Sequence, residues 1–305
     1  MSDNDRLLVV IAGPTAAGKT ALAIDLAIHF HTEILSADSR QFYREMIIGT
    51  ASPTDDELSL VRHHFIRHRS VHEPWNVSGF ETEAVRLMED LFMTHRILFL
   101  VGGSGLYIDA VCHGLDTLPD PDPEIRCQLK ETLAFSGVPG LFRELERLDP
   151  VYAARVDRSN PARLIRALEV CRITGIPYTA LLTNTMRTRS FRILKIALEM
   201  PRENLFNRIN ARVDAMILAG LADEARYLLP FRDQNALNTV GYQELFDHFT
   251  GRMTLDQAIE KIKVNTRRYA KRQLTWFRKD PEYHWFAPGE SEKITGMIRS
   301  QLGSR

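Results

Sequence analysis

The sequence predicts an α/β fold: a parallel sheet flanked by helices, with a mostly helical insertion domain. Before Leu115, short apolar runs alternate with stretches of helical spacing, as strands do with the helices that connect them. From there to Thr183, helical patterns continue without a clear strand. We therefore expect a core formed by residues 1–115 and 190–305 and a helical insertion formed by residues 116–189.

Each predicted element has its own sequence signal. Leu7–Ala12 is a continuous apolar run, which is typical of a buried parallel strand, and helical spacing follows over Lys19–Phe30. The Pro/Asp cluster Leu118–Pro123 marks the start of the insertion. The remaining strands are expected at Glu33–Ser36, Arg96–Val101 and Ser190–Leu198, and the remaining helices at Gly79–Thr94, Glu203–Leu229, Leu255–Phe277 and in the tail.

The overall charge excludes attraction of a polyanion by the whole molecule. Lys+Arg and Asp+Glu both number 39, so any nucleic-acid site must be a local patch. The N-terminal residues carry no secretory leader pattern, and no uncharged apolar run is long enough to span a bilayer. We therefore expect a cytoplasmic protein that does not contact a membrane.

Cysteine and histidine spacing does not favour a metal centre. Cys112, Cys127 and Cys171 lack the paired spacing that zinc or redox chemistry requires, which fits a reducing compartment. His63 and His64 are adjacent, so on an extended segment they point apart, and no third ligand is spaced nearby.

The strongest local signal is a glycine-rich stretch between the first strand and the first helix. It matches the pattern GxxxxGK[ST] with Gly13, Pro14, Thr15, Ala16, Ala17, Gly18, Lys19 and Thr20. The loop amides and the helix N-terminus can face an anion, Lys19 supplies positive charge, and Thr20 can hold Mg²⁺. The stretch predicts a P-loop NTPase-like core that binds phosphate.

The other strand ends do not match a nucleotide hydrolase, which usually ends a second strand with a metal-binding aspartate. The strand at Arg96–Val101 is followed instead by Gly102–Gly105, whereas Asp38 follows the strand before it. Because the carboxyl ends of parallel strands converge, we expect Asp38 to face the phosphate loop. Taken singly, Asp38 also suits a helix cap, and Gly102–Gly105 a simple tight turn.

Three groups of cations are candidate anion sites. Arg208 and Arg212 share a helix face without a carboxylate at helical spacing, a repulsion of about 0.2–0.5 kcal/mol that an external anion would relieve. Lys261–Lys279 contains eight Lys/Arg, no acid and interleaved aromatics, which suits RNA. Arg163 and Arg166 share a face of an insertion helix. Each group is also compatible with an ordinary solvated surface.

Together these motifs resemble the tRNA dimethylallyltransferases of the bacterial type. These enzymes move a dimethylallyl group from dimethylallyl diphosphate to N6 of the adenine 3′ of the anticodon and release diphosphate. The phosphate loop would then hold a leaving group, so no hydrolytic water is needed. The matching blocks follow in order along nearly the whole chain: Gly13–Thr20, Ser36–Tyr43, Gly49–Thr54, His63–His64, Gly102–Tyr107, Asn160–Glu169, Thr239–Glu244 and Thr266–Arg278.

The resemblance implies a role for each candidate residue. Asp38 would be the general base, assisted by Lys19, Thr20, Arg212 and Ser104, with Mg²⁺ as the cofactor on Thr20. The partners would be dimethylallyl diphosphate and the anticodon stem-loop of tRNA, bound by a monomer. The residues expected at the RNA are Asp38, Ser39, Arg40, Gln41, Ser104, Arg163, Arg166, Gly241, Tyr242 and Gln243.

The sequence departs from the usual family pattern at six positions. The family commonly has Ser at Ala17, Asp at Ile47, Lys at Ser52, Asp at Arg67, Thr at Ser104 and Lys or Arg at Asp109. Ser104 keeps a hydroxyl, whereas most of the other departures exchange or remove charges, which bears on substrate affinity. The zinc-finger extension of the eukaryotic members is not in this sequence, which favours the bacterial type.

Three other functions remain open. A transferase of the same fold could modify free adenine nucleotide, although the insertion and the basic aromatic stretch favour tRNA. A small-molecule kinase would bind ATP and release ADP. A non-catalytic RNA-binding relative would bind the anticodon loop without transferring a prenyl group.

Overall fold

The computed structural model describes residues 6–183 and 186–303. Residues 1–5, 184–185 and 304–305 lie outside the described residues. The prediction about a secretory leader concerned residues 1–5. The chain divides into two compact units, one formed by residues 1–113 and 188–305 and the other by residues 114–187.

The first unit is built on one six-stranded sheet in which every strand pair is parallel. The strands are β1 (Leu7–Ala12), β2 (Ile34–Ser36), β3 (His63–His64), β4 (Ile97–Val101), β5 (Arg192–Leu198) and β6 (His284–Phe286). Their order is β3-β2-β4-β1-β5-β6, so β1 lies between β4 and β5. The predicted parallel α/β architecture is confirmed.

Thirteen α-helices are assigned within the described residues. In chain order they are α1 (Lys19–Phe30), α2 (Asp55–Leu60), α3 (Val77–Leu91), α4 (Gly105–His113), α5 (Pro123–Leu148), α6 (Pro150–Ala153), α7 (Pro161–Thr174), α8 (Tyr178–Leu181), α9 (Arg202–Leu218), α10 (Leu221–Leu228), α11 (Tyr242–Phe249), α12 (Leu255–Phe277) and α13 (Ser291–Gly303). Short 3₁₀ turns cover Leu229–Phe231 and Asn235–Leu237.

Both faces of the sheet are covered, because alternate residues of a strand point to opposite faces. Leu8 and Val10 of β1 belong to a core cluster with residues of α3, α4, α11 and α12. Leu7, Val9 and Ile11 belong to a second cluster with residues of α1 and α13. All six residues of β1 are buried, which explains its unbroken apolar sequence.

The elements β3, α2, α4 and α11 were not predicted, and two of the predicted helical stretches differ from the structure. The helical stretch expected over Glu203–Leu229 is two helices, α9 and α10, and the tail expected to be helical also contains β6. β6 has only three residues and an exposed His284, so it lacks an apolar run. Its extended form is set by pairing with β5, where Leu198 lies opposite Phe286.

The second unit contains α5 to α8 and, within its described residues, no strand. Its core lies between α5 and α7 and includes Leu129, Leu141, Leu145 and Leu164, all fully buried. α5 is kinked where Gly137 leaves the helical conformation at φ 64°, two residues before Pro139.

None of the helices within residues 6–183 and 186–303 combines the length and the apolar character needed to cross a lipid bilayer.

Candidate active site

The phosphate loop, residues 13–20, connects β1 to α1. Gly13 has φ 139°, and a Cβ atom there would lie 2.9 Å from the carbonyl oxygen of Leu198, so only glycine fits against β5. α1 begins after Gly18, which has no side chain to cap the helix. The N–H groups of the first turn therefore need another acceptor, and an anion can supply it.

Lys19 bends over this loop. Its Nζ donates hydrogen bonds to the carbonyl oxygens of Gly13, at 3.0 Å, and Pro14, at 2.8 Å. Burial lowers the pKa of Lys19 to about 8, Asp38 opposes that shift, and Arg212 adds to it. An anionic ligand beside the amine would favour its charged form.

The strand ends around the loop are directly hydrogen-bonded to one another. The N–H of Gly102, after β4, donates to Ile11 O of β1 at 3.1 Å. The N–H of Ala37, after β2, donates to Val101 O of β4 at 2.8 Å. The loops that follow β1, β2 and β4 therefore meet at one edge of the sheet, as the parallel arrangement requires.

These loops, with α9 and α12, line a cavity of about 730 Å³. Its lining includes Thr20 of the phosphate loop, Asp38, Ser39 and Gln41 after β2, and Gly241 before α11. The positively charged side chains of the lining are Lys19, Arg40, Arg208, Arg212 and Arg272, and the negatively charged ones are Asp38 and Glu57. Because cations outnumber carboxylates, the cavity suits an anionic ligand.

Arg212 reaches the cavity from α9, whose buried residues Leu205, Ile209 and Val213 dock it on the core. Burial lowers the pKa of the Arg212 guanidinium, with Asp38 opposing the shift and Arg208 adding to it. The predicted repulsion between the two arginines is therefore present in the fold, and Asp38 offsets it in part.

Asp38 is a turn residue rather than a helix cap. Its Oδ1 accepts a hydrogen bond from the N–H of Arg40 at 3.0 Å, and no helix begins there. This bond helps to fix the carboxylate at the wall of the cavity.

Ser104 links the loop after β4 to the loop after β2. Its Oγ accepts the N–H of Ser39 at 3.0 Å and lies 3.1 Å from Ser39 Oγ, to which it donates. Tyr269 of α12 also lines the cavity, and burial raises the pKa of its phenol to about 12, with Ser104 opposing the shift. Ser104 thus orients the peptide that follows Asp38.

Two residues at the site were not predicted from the sequence. Tyr269 and Gln273 lie in the stretch Lys261–Lys279, which was predicted only as a whole to suit RNA, and both line the cavity. The signal lies in the buried stripe of α12, which includes Ala258, Ile262, Ala270, Gln273 and Phe277. A glutamine within an apolar helical stripe indicates a buried hydrogen-bond role.

Several predicted RNA-binding side chains are already used within the protein. Tyr242 is fully buried and its hydroxyl donates to Glu224 Oε1 at 2.6 Å, so its expected contact with RNA does not fit the structure. Arg40 donates to the carbonyl oxygens of Asn235 and Asn238. Gln41 donates to the carbonyl oxygens of Thr50 and Ala51, and Gln243, although exposed, to Leu237 O.

The two insertion arginines differ in their surroundings within the second unit. Arg163 is exposed at the start of α7. Arg166 donates to Glu169 Oε2 and to Pro119 O, both at 2.7 Å, and Arg126 donates to the same glutamate oxygen. The Glu169 side chain is fully buried, so Arg166 neutralises it and serves this unit's own structure.

Two departures from the family pattern are in contact with each other. Arg67 Nε donates to Ser52 Oγ at 3.2 Å, and its other nitrogens bond Pro53 O and Asp55 Oδ1, each at 2.7 Å. The exchange of charge at these two positions is therefore one paired change. Asp109 accepts the indole N–H of Trp276 at 2.9 Å, and burial raises the pKa of its carboxyl.

Within the described residues, one cluster has three side chains close enough to hold a metal: His113, Asp280 and Glu282. Lys195 Nζ lies 2.8 Å from the His113 ring and 2.7 Å from each carboxylate, so its ammonium already supplies the positive charge. His63 and His64 form β3, where His64 Nε2 bonds Glu33 Oε2 and His63 Nδ1 lies 2.8 Å from Val61 O. Neither group has the character of a metal centre.

Comparison with known proteins agrees with this geometry. A family model described as IPP transferase matches residues 41–280. A protein of Christiangramia forsetii named tRNA dimethylallyltransferase is 52% identical over 298 residues, which cover 97% of this chain and 99% of that protein. One from Parabacteroides distasonis, named tRNA dimethylallyltransferase 2, is 45% identical over 97% of this chain and 99% of its own length.

Solved structures show the same relationship. The full-length tRNA isopentenylpyrophosphate transferase of Bacillus halodurans has a TM-score of 0.73 and 38% identity, over 98% of this chain and 97% of that one. A eukaryotic dimethylallyltransferase, solved acting on tRNA, has a TM-score of 0.80 and 25% identity, over 98% of this chain and 80% of that one. The predicted P-loop NTPase-like fold is confirmed. The chain belongs to the IPP transferase family.

Proposed function

We propose that this protein transfers the dimethylallyl group of dimethylallyl diphosphate to N6 of the adenine 3′ of the anticodon in tRNA and releases diphosphate. The observation that carries the proposal is the position of Asp38, which shares one cavity with the phosphate loop and with Arg212. A cation-rich pocket beside a fixed carboxylate provides for a departing oxyanion and for a proton acceptor. The names of the relatives support the same reaction.

The leaving group is stabilised as its bond breaks. When the allylic carbon–oxygen bond opens, the electron pair stays on the diphosphate oxygen and negative charge grows there. The N–H groups of the phosphate loop, the ammonium of Lys19 and the guanidinium of Arg212 face this charge. These groups are fixed before the reaction, so they favour the transition state without reorganising.

Asp38 completes the transfer at nitrogen. The N6 lone pair of adenine is delocalised into the ring, so the amine is a weak nucleophile and must lose a proton as the new N–C bond forms. The Asp38 carboxylate accepts that proton. Ser104 and Ser39 hold the peptide that carries it, through the 3.0 Å bond from Ser39 N to Ser104 Oγ.

A divalent cation fits the phosphate loop. Enzymes that release diphosphate from a prenyl substrate typically need one, and we propose Mg²⁺. Thr20 lines the cavity in the first turn of α1, and its hydroxyl would hold the cation, because Mg²⁺ prefers oxygen ligands. When bound, the cation adds positive charge against the diphosphate oxygens. Lys19, in the same turn, keeps the substrate oriented beside Asp38.

The adenine must leave the anticodon loop to reach this cavity. The cavity wall offers Ser39, the side-chain oxygen of Gln41 and the backbone at Gly241 to an extruded base, and Arg272 to a nearby phosphate. Arg40, Gln243 and Tyr242 shape these loops through the contacts described above. In the second unit, Arg163 is available to the RNA backbone, and Arg166 supports the helix that carries it. We propose that the protein acts as a monomer in the cytoplasm, where its tRNA substrate is found.

The direct test is to incubate the protein with radiolabelled dimethylallyl diphosphate, Mg²⁺ and tRNA from a strain that lacks the modification. We expect label in the RNA, at the adenine 3′ of the anticodon, with equimolar diphosphate released. Label appearing in free AMP or ADP but not in tRNA would favour a nucleotide-modifying enzyme instead. Cleavage of ATP to ADP without prenyl transfer, or RNA binding without either reaction, would contradict the proposal.

A further inference from the structure

The side-chain amide of Gln273 connects the phosphate loop to the turn after β4. Its Oε1 accepts the backbone N–H of Thr15 at 2.9 Å, and its Nε2 donates to the carbonyl oxygen of Gly103 at 2.9 Å. Gln273 lies on α12 and is only 6% exposed. One buried side chain therefore joins segments that are 258 and 170 residues away in sequence.

The polarity of the amide is determined by its partners. A backbone N–H can only donate and a carbonyl oxygen can only accept, so rotating the amide by 180° would oppose like groups at both ends. Breaking either bond would leave a buried polar group unsatisfied, at a cost of about 1–3 kcal/mol. The separation of the phosphate loop and the turn is thus set by the width of one carboxamide group.

The turn is built around this contact. A Cβ atom at Gly103 would lie 2.2 Å from Gln273 Nε2, so the close approach requires glycine. One helical turn earlier on the same face of α12, Tyr269 also lines the cavity. Through Gln273, α12 therefore holds both the turn after β4 and the phosphate loop.

We propose that Gln273 is a positioning residue for diphosphate. By fixing the Thr15 N–H, it holds the first half of the phosphate loop in place, so that Lys19 and the N–H groups of the second half converge on the leaving group. This inference deepens the proposed function and rests on it only in naming the ligand. Gln273 itself does not touch the reacting atoms.

The variants separate hydrogen bonding from packing. Gln273→Met keeps the side-chain length and removes both hydrogen bonds. Gln273→Glu keeps an acceptor for Thr15 but places an oxygen against the carbonyl of Gly103. We expect each to weaken the binding of Mg²⁺ and inorganic diphosphate roughly tenfold, as measured by titration calorimetry, and to raise KM for dimethylallyl diphosphate by a similar factor. KM for tRNA should stay within about twofold, because the exposed face of α12 is unchanged.

Thr275→Val is the matched control, since Thr275 lies on the exposed face of the same helix and should leave diphosphate affinity as it is in the parent protein. A parallel rise in both KM values would mean that α12 as a whole is disturbed, and would overturn the proposal. So would normal diphosphate affinity in the folded variants; if Gln273→Met does not fold, Gln273→Glu decides. Calorimetry with inorganic diphosphate is independent of prenyl transfer, so a failure of the proposed function would be seen separately, in the transfer assay of the parent protein.

Discussion

Asp38 combines a fixed position with a chemical task that an amide cannot perform. Asp38→Asn keeps an oxygen for the Arg40 N–H, so the turn should be preserved. The amide cannot accept the proton from adenine N6, and we expect kcat for transfer to fall by about 10²–10⁴-fold. Single-turnover rates with labelled dimethylallyl diphosphate measure this loss, and filter binding should show tRNA affinity largely retained.

Asp25→Asn is a suitable control for that substitution, because Asp25 is an exposed carboxylate on α1. It should leave the rate unchanged. If Asp38→Asn turned over at the parent rate, a different group would be the base.

The pKa of Lys19, lowered to about 8 by burial, predicts a pH dependence. Below that pKa the amine is an ammonium and attracts diphosphate; above it the charge is lost and binding weakens. Because kcat/KM reports ionisations of the free enzyme, kcat/KM for dimethylallyl diphosphate should decrease above about pH 8. Ionisation of Tyr269 does not contribute to this decrease in kcat/KM, since burial raises its pKa to about 12.

Lys19→Arg provides the comparison, because a guanidinium stays charged throughout this range. Whatever its absolute activity, its kcat/KM profile should lose the decrease near pH 8. A decrease that persists unchanged in this variant would assign the ionisation to another group.

In the loop after β2, residues 47–49 are held by a single residue of α10. Glu224 accepts the N–H groups of Ile47, Ile48 and Gly49 at 2.8–2.9 Å, and also the hydroxyl of Tyr242. Glu224→Gln removes the negative charge and replaces one acceptor oxygen by an NH₂ group, which cannot accept a hydrogen bond from these donors. We expect a loss of about 3 kcal/mol in the free energy of unfolding and a Tm lower by roughly 5–10 °C.

Two further variants test this account by thermal and urea unfolding. Tyr242→Phe removes one of the four bonds and should cost about 1 kcal/mol. Asp223→Asn changes an exposed carboxylate on the same helix and should have little effect. Equal stability of Glu224→Gln and Asp223→Asn would show that the loop does not depend on the Glu224 charge.

The whole chain has no net charge, so its affinity for RNA must come from local groups of cations. Arg163, exposed at the start of α7, is the clearest candidate in the second unit. Arg163→Ala should raise KM for tRNA about three- to tenfold and reduce the slope of log affinity against log salt by about one. KM for dimethylallyl diphosphate should not change.

Arg143→Ala removes an exposed arginine elsewhere in the same unit and serves as the control. A similar loss of tRNA affinity in both variants would indicate a general charge effect. No loss in Arg163→Ala would exclude this residue from the RNA contact.

The sequence was a good guide wherever local chemistry dictates structure. The apolar run Leu7–Ala12 became β1 with the same bounds, and the glycine-rich stretch after it became the loop before α1. β6 could not be predicted, because its three residues are extended only through pairing with β5. Tyr242 was assigned to RNA by resemblance, but its side chain is buried and its hydroxyl donates to Glu224, a residue 18 positions away.

The sequence by itself determined the phosphate loop and the parallel α/β class, because glycine geometry and apolar periodicity act over a few residues. It also contains the ordered motifs by which the chain resembles the tRNA dimethylallyltransferases. Only the tertiary structure decided which side chains share the cavity. Gln273 and Thr15 are 258 residues apart, and Ser104 and Ser39 are 65 apart. Contacts of this kind arise when strands with adjacent carboxyl ends bring their loops to one edge and a distant helix packs over them, and no local pattern encodes that packing.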